Sequence, residues 1–501
     1  MSRTRIVKGK YTKIIGENYN VSAEGNISYN AMNEVRDNGI DKGVFYGNYE
    51  KLGSEVSDDF DIRFSLRKDK TYTTVVPFGI LHYSGNYENS NFVFDYSLML
   101  GNIDSLEFKV LNEDGTTLYA ITSLPEVVVS ARRLSLLAED LVKNKPQYNP
   151  LKPVITWDWK SIFDPYNTVS SDYTKIGSYV IFWDGFDNND VYDSAKFNNK
   201  KLKAVIKAKK KGIEKTAEVE FTTKYKEVDW VDVKIDRKNK KIETTLRVNL
   251  KDGGENGLKC DTISNSFEPS MIETKCPWDE IPSSAINSSQ PIIKTRTKNF
   301  SDLEKLAIDG LNYHWGRNSN HSVAKDVKII GESYEVYIDA VNTESNSMDD
   351  ISLIYNTNGS WMRSGNPGSA TGNPISWVGN LISREAICYN VGYIYEYHYK
   401  NKWSYQTEIL EDKEFEFTSA HEIGHEILKS YGGTTYSYGH KGSVNVVTQN
   451  MKDDSPPYPS GGEIDIMPYY PSSPPPSMYN RYVAAEKDVL SLIWLTKIKI
   501  N

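Results

Sequence analysis

Residues 415–433 read FEFTSAHEIGHEILKSYGG and contain His421-Glu422-Ile423-Gly424-His425. On a helix, two histidines four apart lie on one face about a turn apart, so both imidazoles can converge on a single metal ion. Glu422, beside the first of them, is placed to reach a water on that ion. The flanks suit a helix of about three turns: Thr418 or Ser419 can cap its start, Gly432-Gly433 can end it, and Ile423, Ile427 and Leu428 are available to a core.

The surroundings strengthen this reading. The chain has 501 residues and only 7 His, yet His398, His421, His425 and His440 fall within 43 positions. His440 lies in YSYGHKGS just past the double glycine, in range to fold back as a third ligand. GGEIDIMPYY follows at 461–470, an apolar tight turn centred on Met467 that can floor a metal site. An exposed helix that carries the pentapeptide by chance explains neither the clustering nor the turn. With three protein ligands a metal ion keeps a fourth position open for water. Tyr469, Tyr470 and Tyr438 are candidate oxyanion stabilisers, although in a chain with 34 Tyr a structural role is the commoner one.

Downstream, YNRYVAAEKDVLSLIWL (479–495) reads as a closing helix with Val483, Val489, Leu490, Ile493 and Trp494 in the core, and SPPYPSGG and PSSPPPS read as rigid rim loops. Upstream, DLEKLAIDGLNYHW (302–315) is an amphipathic helix with Leu303, Leu306, Ala307 and Leu311 on one face. The strands VKIIG, SYEVYIDAV and ISLIYN come next, then a helix or loop near 376–390 and the strand VGYIYEYHYK. The segment SLIYNTNGSWMRSG is expected to offer an edge to an extended peptide. Residues 298–501 thus form a mixed α/β unit.

The rest of the chain is β-rich. Residues 251–297 are dense in Gly, Ser, Asn, Pro and Thr and read as a linker. Residues 146–250 read as an immunoglobulin-like sandwich whose clearest unit is the hairpin KLKAVIKAKKKGIEKTAEVEFTTKY, with its lysines on the solvated side. Residues 56–145 hold further alternating runs, DIRFSLR, TYTTVVPFGILHY, NFVFDYSLML and SLEFKVLN, then a helical stretch at 131–144 with Leu134, Leu136, Leu137 and Leu141. Residues 1–55 are polar and read as an adaptor or leader segment. The expected fold class is multidomain, with N-terminal all-β units and a C-terminal α/β domain.

Composition narrows the function. With 39% hydrophobic and 25% charged residues, the chain is neither disordered nor a membrane bundle, and it has no run of about 18 apolar residues to span a bilayer. A formal net charge of -8 leaves no basic surplus for nucleic acid. Cys260, Cys276 and Cys388 are too few for a disulfide framework; Cys260 and Cys276 can bridge in an oxidising compartment, but idle thiols are the favoured reading. The N-terminus lacks the apolar run of about 7–15 residues that a secretory signal needs, so export would require a dedicated machine, and otherwise the protein is cytoplasmic.

On these residues, region 298–501 resembles the zincin metalloproteases, and among them the metzincins, in which a helix bears HExxH, a downstream His is the third ligand and a Met-containing turn lies beneath the zinc. The resemblance implies a zincin-like metallopeptidase domain with Zn2+ held by His421 and His425, Glu422 as base and then acid, Met467 as the Met-turn residue, and a protein or peptide substrate. Metzincins place Gly and the third His three and six residues after the second His. Here Gly432-Gly433 and His440 come seven, eight and fifteen residues later. His440 is the favoured third ligand, with Glu463 or Asp465 as alternatives of the kind the gluzincin branch supplies. The N-terminal MSRTRIVKGKYTKIIGENYNVSAEGNI resembles leader segments in front of toxin modules of Bacteroidetes-type bacteria, exported by type VI or related contractile injection machines. That similarity implies a secreted effector or toxin, with a secretion-machine component and an inhibitor or immunity protein as partners. Two other functions compete: a non-catalytic β-rich binding or assembly protein with a structural zinc, and a peptidoglycan-peptide hydrolase.

Overall fold

In the computed structural model, the residues described are 59–69, 71–121, 129–130, 174, 176–264, 272–365, 386–397, 400–440, 457–470 and 474–501. All belong to one compact unit, Asp59–Asn501. The leader expected at 1–55, the helix expected at 131–144, the stretch 376–385 and His398 lie outside these residues, as do parts of both Pro-rich loops.

Strands dominate the unit. In chain order they begin with β1 (Asp61–Leu66), β2 (Thr74–Val75), β3 (Phe92–Met99), β4 (Ser105–Leu111), β5 (Thr117–Ile121), β6 (Val129–Ser130) and β7 (Gly177–Trp183). There follow β8 (Val191–Asp193), β9 (Lys200–Lys210), β10 (Ile213–Tyr225), β11 (Val231–Asp236), β12 (Lys241–Asn256), β13 (Asp261–Ser264) and β14 (Ile272–Lys275). After helix α1 (Phe300–His314) come β15 (Val327–Ile329), β16 (Glu332–Asn342), β17 (Asp350–Asn356), β18 (Gly359–Ser360), β19 (Ala386–Asn390), β20 (Gly392–Glu396) and β21 (Lys402–Gln406). Helices α2 (Glu408–Gly432) and α3 (Thr434–Tyr438) lead to β22 (Ile464–Asp465), β23 (Tyr482–Val483), α4 (Glu486–Leu495) and β24 (Ile498–Ile500).

Strand alternation builds the first half. Sheet β1-β3-β7-β6 and sheet β2-β24-β10-β9-β4-β5 are both antiparallel. Phe92 and Phe94 of β3 meet Phe221 of β10 at 5.9 and 6.0 Å, and Phe94 meets Phe108 of β4 at 5.2 Å between ring centroids. The two sheets therefore face each other across an aromatic core, in which each buried ring is worth about 1.5–3 kcal/mol over exposure. In hairpin β9–β10 the inward set is Leu202, Ala204, Ile206 and Ala208, all buried, while Lys201, Lys203 and Lys207 pair with Glu220, Glu218 and Glu214 on the wet side.

A third sheet, β15-β16-β12-β11-β8, extends through β17 to β19. Its organiser is β12, which pairs in parallel with β16 along Lys241–Val248 and with β17 along Asn249–Asn256, with an irregularity between Asp252 and Glu255. It joins strands from both sides of segment 251–297, and β24 returns to lie between β2 and β10, so backbone hydrogen bonding crosses the borders expected at 250 and 298. β17 is paired on both sides, to β12 and β19, so the ISLIYN part of the expected peptide-binding edge is an interior strand. Further along that segment, 362–365 runs beside β19, with Gly365 N donating to Ala386 O at 3.0 Å.

Three further expectations change. Cys260 and Cys276 form a disulfide that closes the β13–β14 hairpin, because the antiparallel pairing brings their Cα atoms to 4.1 Å. The helix over 479–495 begins only at Glu486; Pro476–Arg481 is a 3-10 turn and Tyr482–Val483 is strand β23. Helix α2 runs for 25 residues from its N-cap Thr407, so Thr418 and Ser419 are interior positions rather than caps. Its upstream half, EILEDKEFEF, is rich in good helix formers with Glu408 and Glu411 in the first turn, which favours an earlier start. The end is as expected: Gly433 adopts φ 83°, a conformation that stops the helix.

Candidate metal centre

α2 packs against α1, β19 and α4. α1 and α2 cross so closely that a Cβ on Gly310 would lie 2.2 Å from Glu416 O. Just beyond α1, the Trp315 indole donates to Ala420 O at 3.0 Å, and this bond fixes the turn that carries the histidines. Gly424, between the two, faces inward, where a Cβ would sit 2.7 Å from Met467 Sδ and 2.8 Å from Trp315 Cζ2. Met467 is fully buried beneath the helix, and Asp465 Oδ1 accepts from its backbone N–H at 3.1 Å. Any side chain at 424 would push this turn away from the helix.

Three histidines converge on the other side of that turn. His421, His425 and His440 are buried, and their ligating atoms all lie within 4.8 Å of one another. Each has one ring nitrogen fixed by the fold. Nδ1 of His421 donates to Ile466 O at 2.7 Å, and Nδ1 of His440 to Tyr438 O at 2.9 Å. Nδ1 of His425 donates to Ser437 Oγ at 3.1 Å, since that hydroxyl gives its own proton to His425 O at 2.7 Å. These partners assign the proton of each ring to Nδ1 and make Nε2 the basic nitrogen, the form a metal takes. The Nε2 atoms of His421 and His425 are 3.2 Å apart. Two lone pairs at that distance repel unless a cation lies between them, so the donor set fits a divalent metal of the imidazole-binding kind.

Electrostatics agree with the geometry. Burial pushes His421 down to about 4 and His440 down to about 3, and holds His425 well below the ordinary histidine value, so all three are neutral at pH 7. Burial acts in the opposite sense on Glu422, raising it to about 7, against a smaller downward pull from Arg363. One of its oxygens, Oε2, is buried without a hydrogen-bond partner. Glu426, one turn further on, is instead ion-paired with Lys429 at 3.2 Å. A carboxylate that titrates near neutrality beside three neutral imidazoles has the chemistry of a proton shuttle.

The other sequence candidates separate cleanly. Glu463 is committed elsewhere: both of its oxygens accept from Arg317 Nη2, at 2.7 and 2.8 Å. Asp465 stays with the Met467 turn and is not among the converging ligands. The Tyr469 ring lies 3.8 Å from the His440 ring and 5.7 Å from that of His421. Tyr470 turns away and stacks on Tyr458 at 4.7 Å, while Tyr438 lies 5.8 Å from the His425 ring and serves through its carbonyl. Two contributors were not foreseen. Ser437 sits in the same YSYGH run as His440, so its position beside the ligands was the available signal; Arg363, which donates to Tyr469 OH at 3.3 Å, lies in WMRSG, where nothing marks it.

Among the described residues no helix is long and apolar enough to cross a membrane. No protein-family model matches this chain, and no curated protein matches it either.

Proposed function

We propose that the protein is a zinc-dependent endopeptidase whose C-terminal region is zincin-like. The observation that carries the reading is the convergence of His421, His425 and His440 beside a buried Glu422 whose Oε2 has no partner. The chemistry that a zinc ion supplies when bound by these residues is Lewis acidity, which acidifies water and polarises an amide carbonyl. The Nδ1 bonds to Ile466 O, Ser437 Oγ and Tyr438 O hold the three rings in place and in the right tautomer. Glu422, buried beside His421 with Oε2 unpartnered, would accept a proton from the attacking water and donate it to the leaving amine. The Tyr469 hydroxyl, held by Arg363, is the favoured donor to a developing oxyanion. Met467 sets the height of the floor through its contact with Gly424.

The Cys260–Cys276 disulfide supports a destination outside the reducing cytosol and so fits a secreted effector or toxin. A structural zinc would call for four protein ligands, and among the described residues three converge. The test is to compare bound zinc, and cleavage of an unfolded protein substrate, in wild type and Glu422→Gln. The reading requires zinc in both and cleavage by wild type alone.

A further inference from the structure

Three asparagines stand in register across three neighbouring strands: Asn256 of β12 pairs with Asn356 of β17, and Asn356 with Asn390 of β19. All three hold the chain that leaves β17. Asn256 Nδ2 lies 3.1 Å from Met362 Sδ, and Asn356 Nδ2 donates to Ser360 O at 3.1 Å and to Asn390 Oδ1 at 2.7 Å. Asn390 grips most firmly. Its Oδ1 accepts from Met362 N at 3.1 Å and its Nδ2 donates to Met362 O at 3.0 Å, so one side chain takes both backbone groups of Met362, as a paired strand would. Asn356 and Asn390 are both buried.

The next residue is Arg363. On its other side Ser364 Oγ accepts from Cys388 N at 3.0 Å and Gly365 N donates to Ala386 O at 3.0 Å. From between these ties Arg363 Nη2 donates to Tyr469 OH at 3.3 Å, and the Tyr469 ring lies 3.8 Å from that of His440. A hydrogen bond of that length is near the outer limit, so a backbone shift of less than about 1 Å at Met362 is enough to break it. A buried carboxamide is stable only where its donors and acceptors are met. Asn390 meets them on Met362 and Asn356, which gives the clamp one geometry.

We propose that Asn390, supported by Asn356, is a positioning residue: by clamping Met362 it sets where Arg363 stands and, through Arg363, where the Tyr469 hydroxyl points at the metal centre. The consequence for turnover rests on the endopeptidase reading, in which Tyr469 steadies a developing oxyanion. The placement of Tyr469 does not.

Placement is read first, without turnover. 3-Fluorotyrosine at position 469 of the full-length protein, at a fixed zinc level, reports its surroundings through its fluorine NMR line. Arg363→Gln should shift that line, Asn390→Ala should shift it in the same direction, and Asn390→Ala should add nothing in protein that already carries Arg363→Gln. Thermal midpoints report whether each variant is folded. Where Asn390→Ala is not, Asn390→Ser, which keeps one of the two bonds to Met362, takes its place with a smaller shift. A line that stays put in the folded Asn390 variant, or shifts that add in the double variant, would overturn the proposal. Turnover is read second. Asn390→Ala should lower kcat about 10- to 100-fold with KM unchanged, and should leave the kcat of Tyr469→Phe protein as it is. Equal losses in both backgrounds would overturn the proposal, because Asn390 would then act on the fold at large. A wild type that cleaves nothing, while the fluorine line responds as described, would refute the endopeptidase reading and leave the placement standing.

Discussion

On hairpin β9–β10, Lys201, Lys203 and Lys207 face Glu220, Glu218 and Glu214 across the strands with a third to a half of each side chain in water. In the candidate metal centre, Glu422 and the three histidines are withdrawn from water. Both regions are dense in ionisable groups, but solvent makes those of the hairpin interchangeable, while burial makes each group of the centre depend on a particular neighbour. The hairpin needs only charge alternation on one face of a sheet. The centre needs a tautomer for each ring and a short distance between them.

The comparison breaks most visibly at the third ligand. His440→Ala should lose zinc by more than the 10–100-fold typical of an outer hydrogen-bond partner, whereas Glu463→Ala should keep it and lose only the tie to Arg317. Zinc content after dialysis at a fixed free-metal level decides between them. One layer out, Ser437→Ala removes the hydroxyl that fixes the His425 ring and should lower zinc affinity by about 10–100-fold while leaving the fold intact.

In the metal-free protein, stability should depend on pH through Glu422. Because Glu422 is raised to about 7 by burial, the folded state holds its proton from the unfolded value near 4.5 up to about 7, and the unfolded state does not. Its contribution to stability therefore falls as pH rises through that window. Glu422→Gln lacks the term, so its urea-unfolding free energy relative to wild type should grow by roughly 1–3 kcal/mol between pH 5 and pH 8. A constant difference would mean that the carboxyl is solvated. The smallest effect belongs to the hairpin: Lys203→Gln should change neither the thermal midpoint, nor zinc content, nor cleavage.

The parts of the molecule that obey a local period could be read from the sequence. The four-residue spacing of His421 and His425, the Met467 turn and the β9–β10 alternation all depend on near neighbours in the chain. His440 was within reach of the same logic, because the double glycine returns the chain over its own helix. What could not be read depends on long-range pairing. Arg363 comes to the centre because β17 pairs with β19 and carries 361–365 alongside, and Glu463 is withdrawn because Arg317 lies beside it. The early start of α2 was missed because Thr418 and Ser419 look like caps when tertiary contact is ignored, and the disulfide because two cysteines 16 apart state nothing about register until β13 and β14 pair.

The most direct test of the central claim is a single paired measurement of bound zinc and of the rate at which an unfolded protein is cleaved, for wild type and Glu422→Gln at pH 7. The account predicts equal zinc in the two proteins and a loss of about a thousandfold or more in the rate for the variant, since the base is removed and the ligands are kept. Equal cleavage by both proteins, or a wild type that binds no zinc, would contradict it.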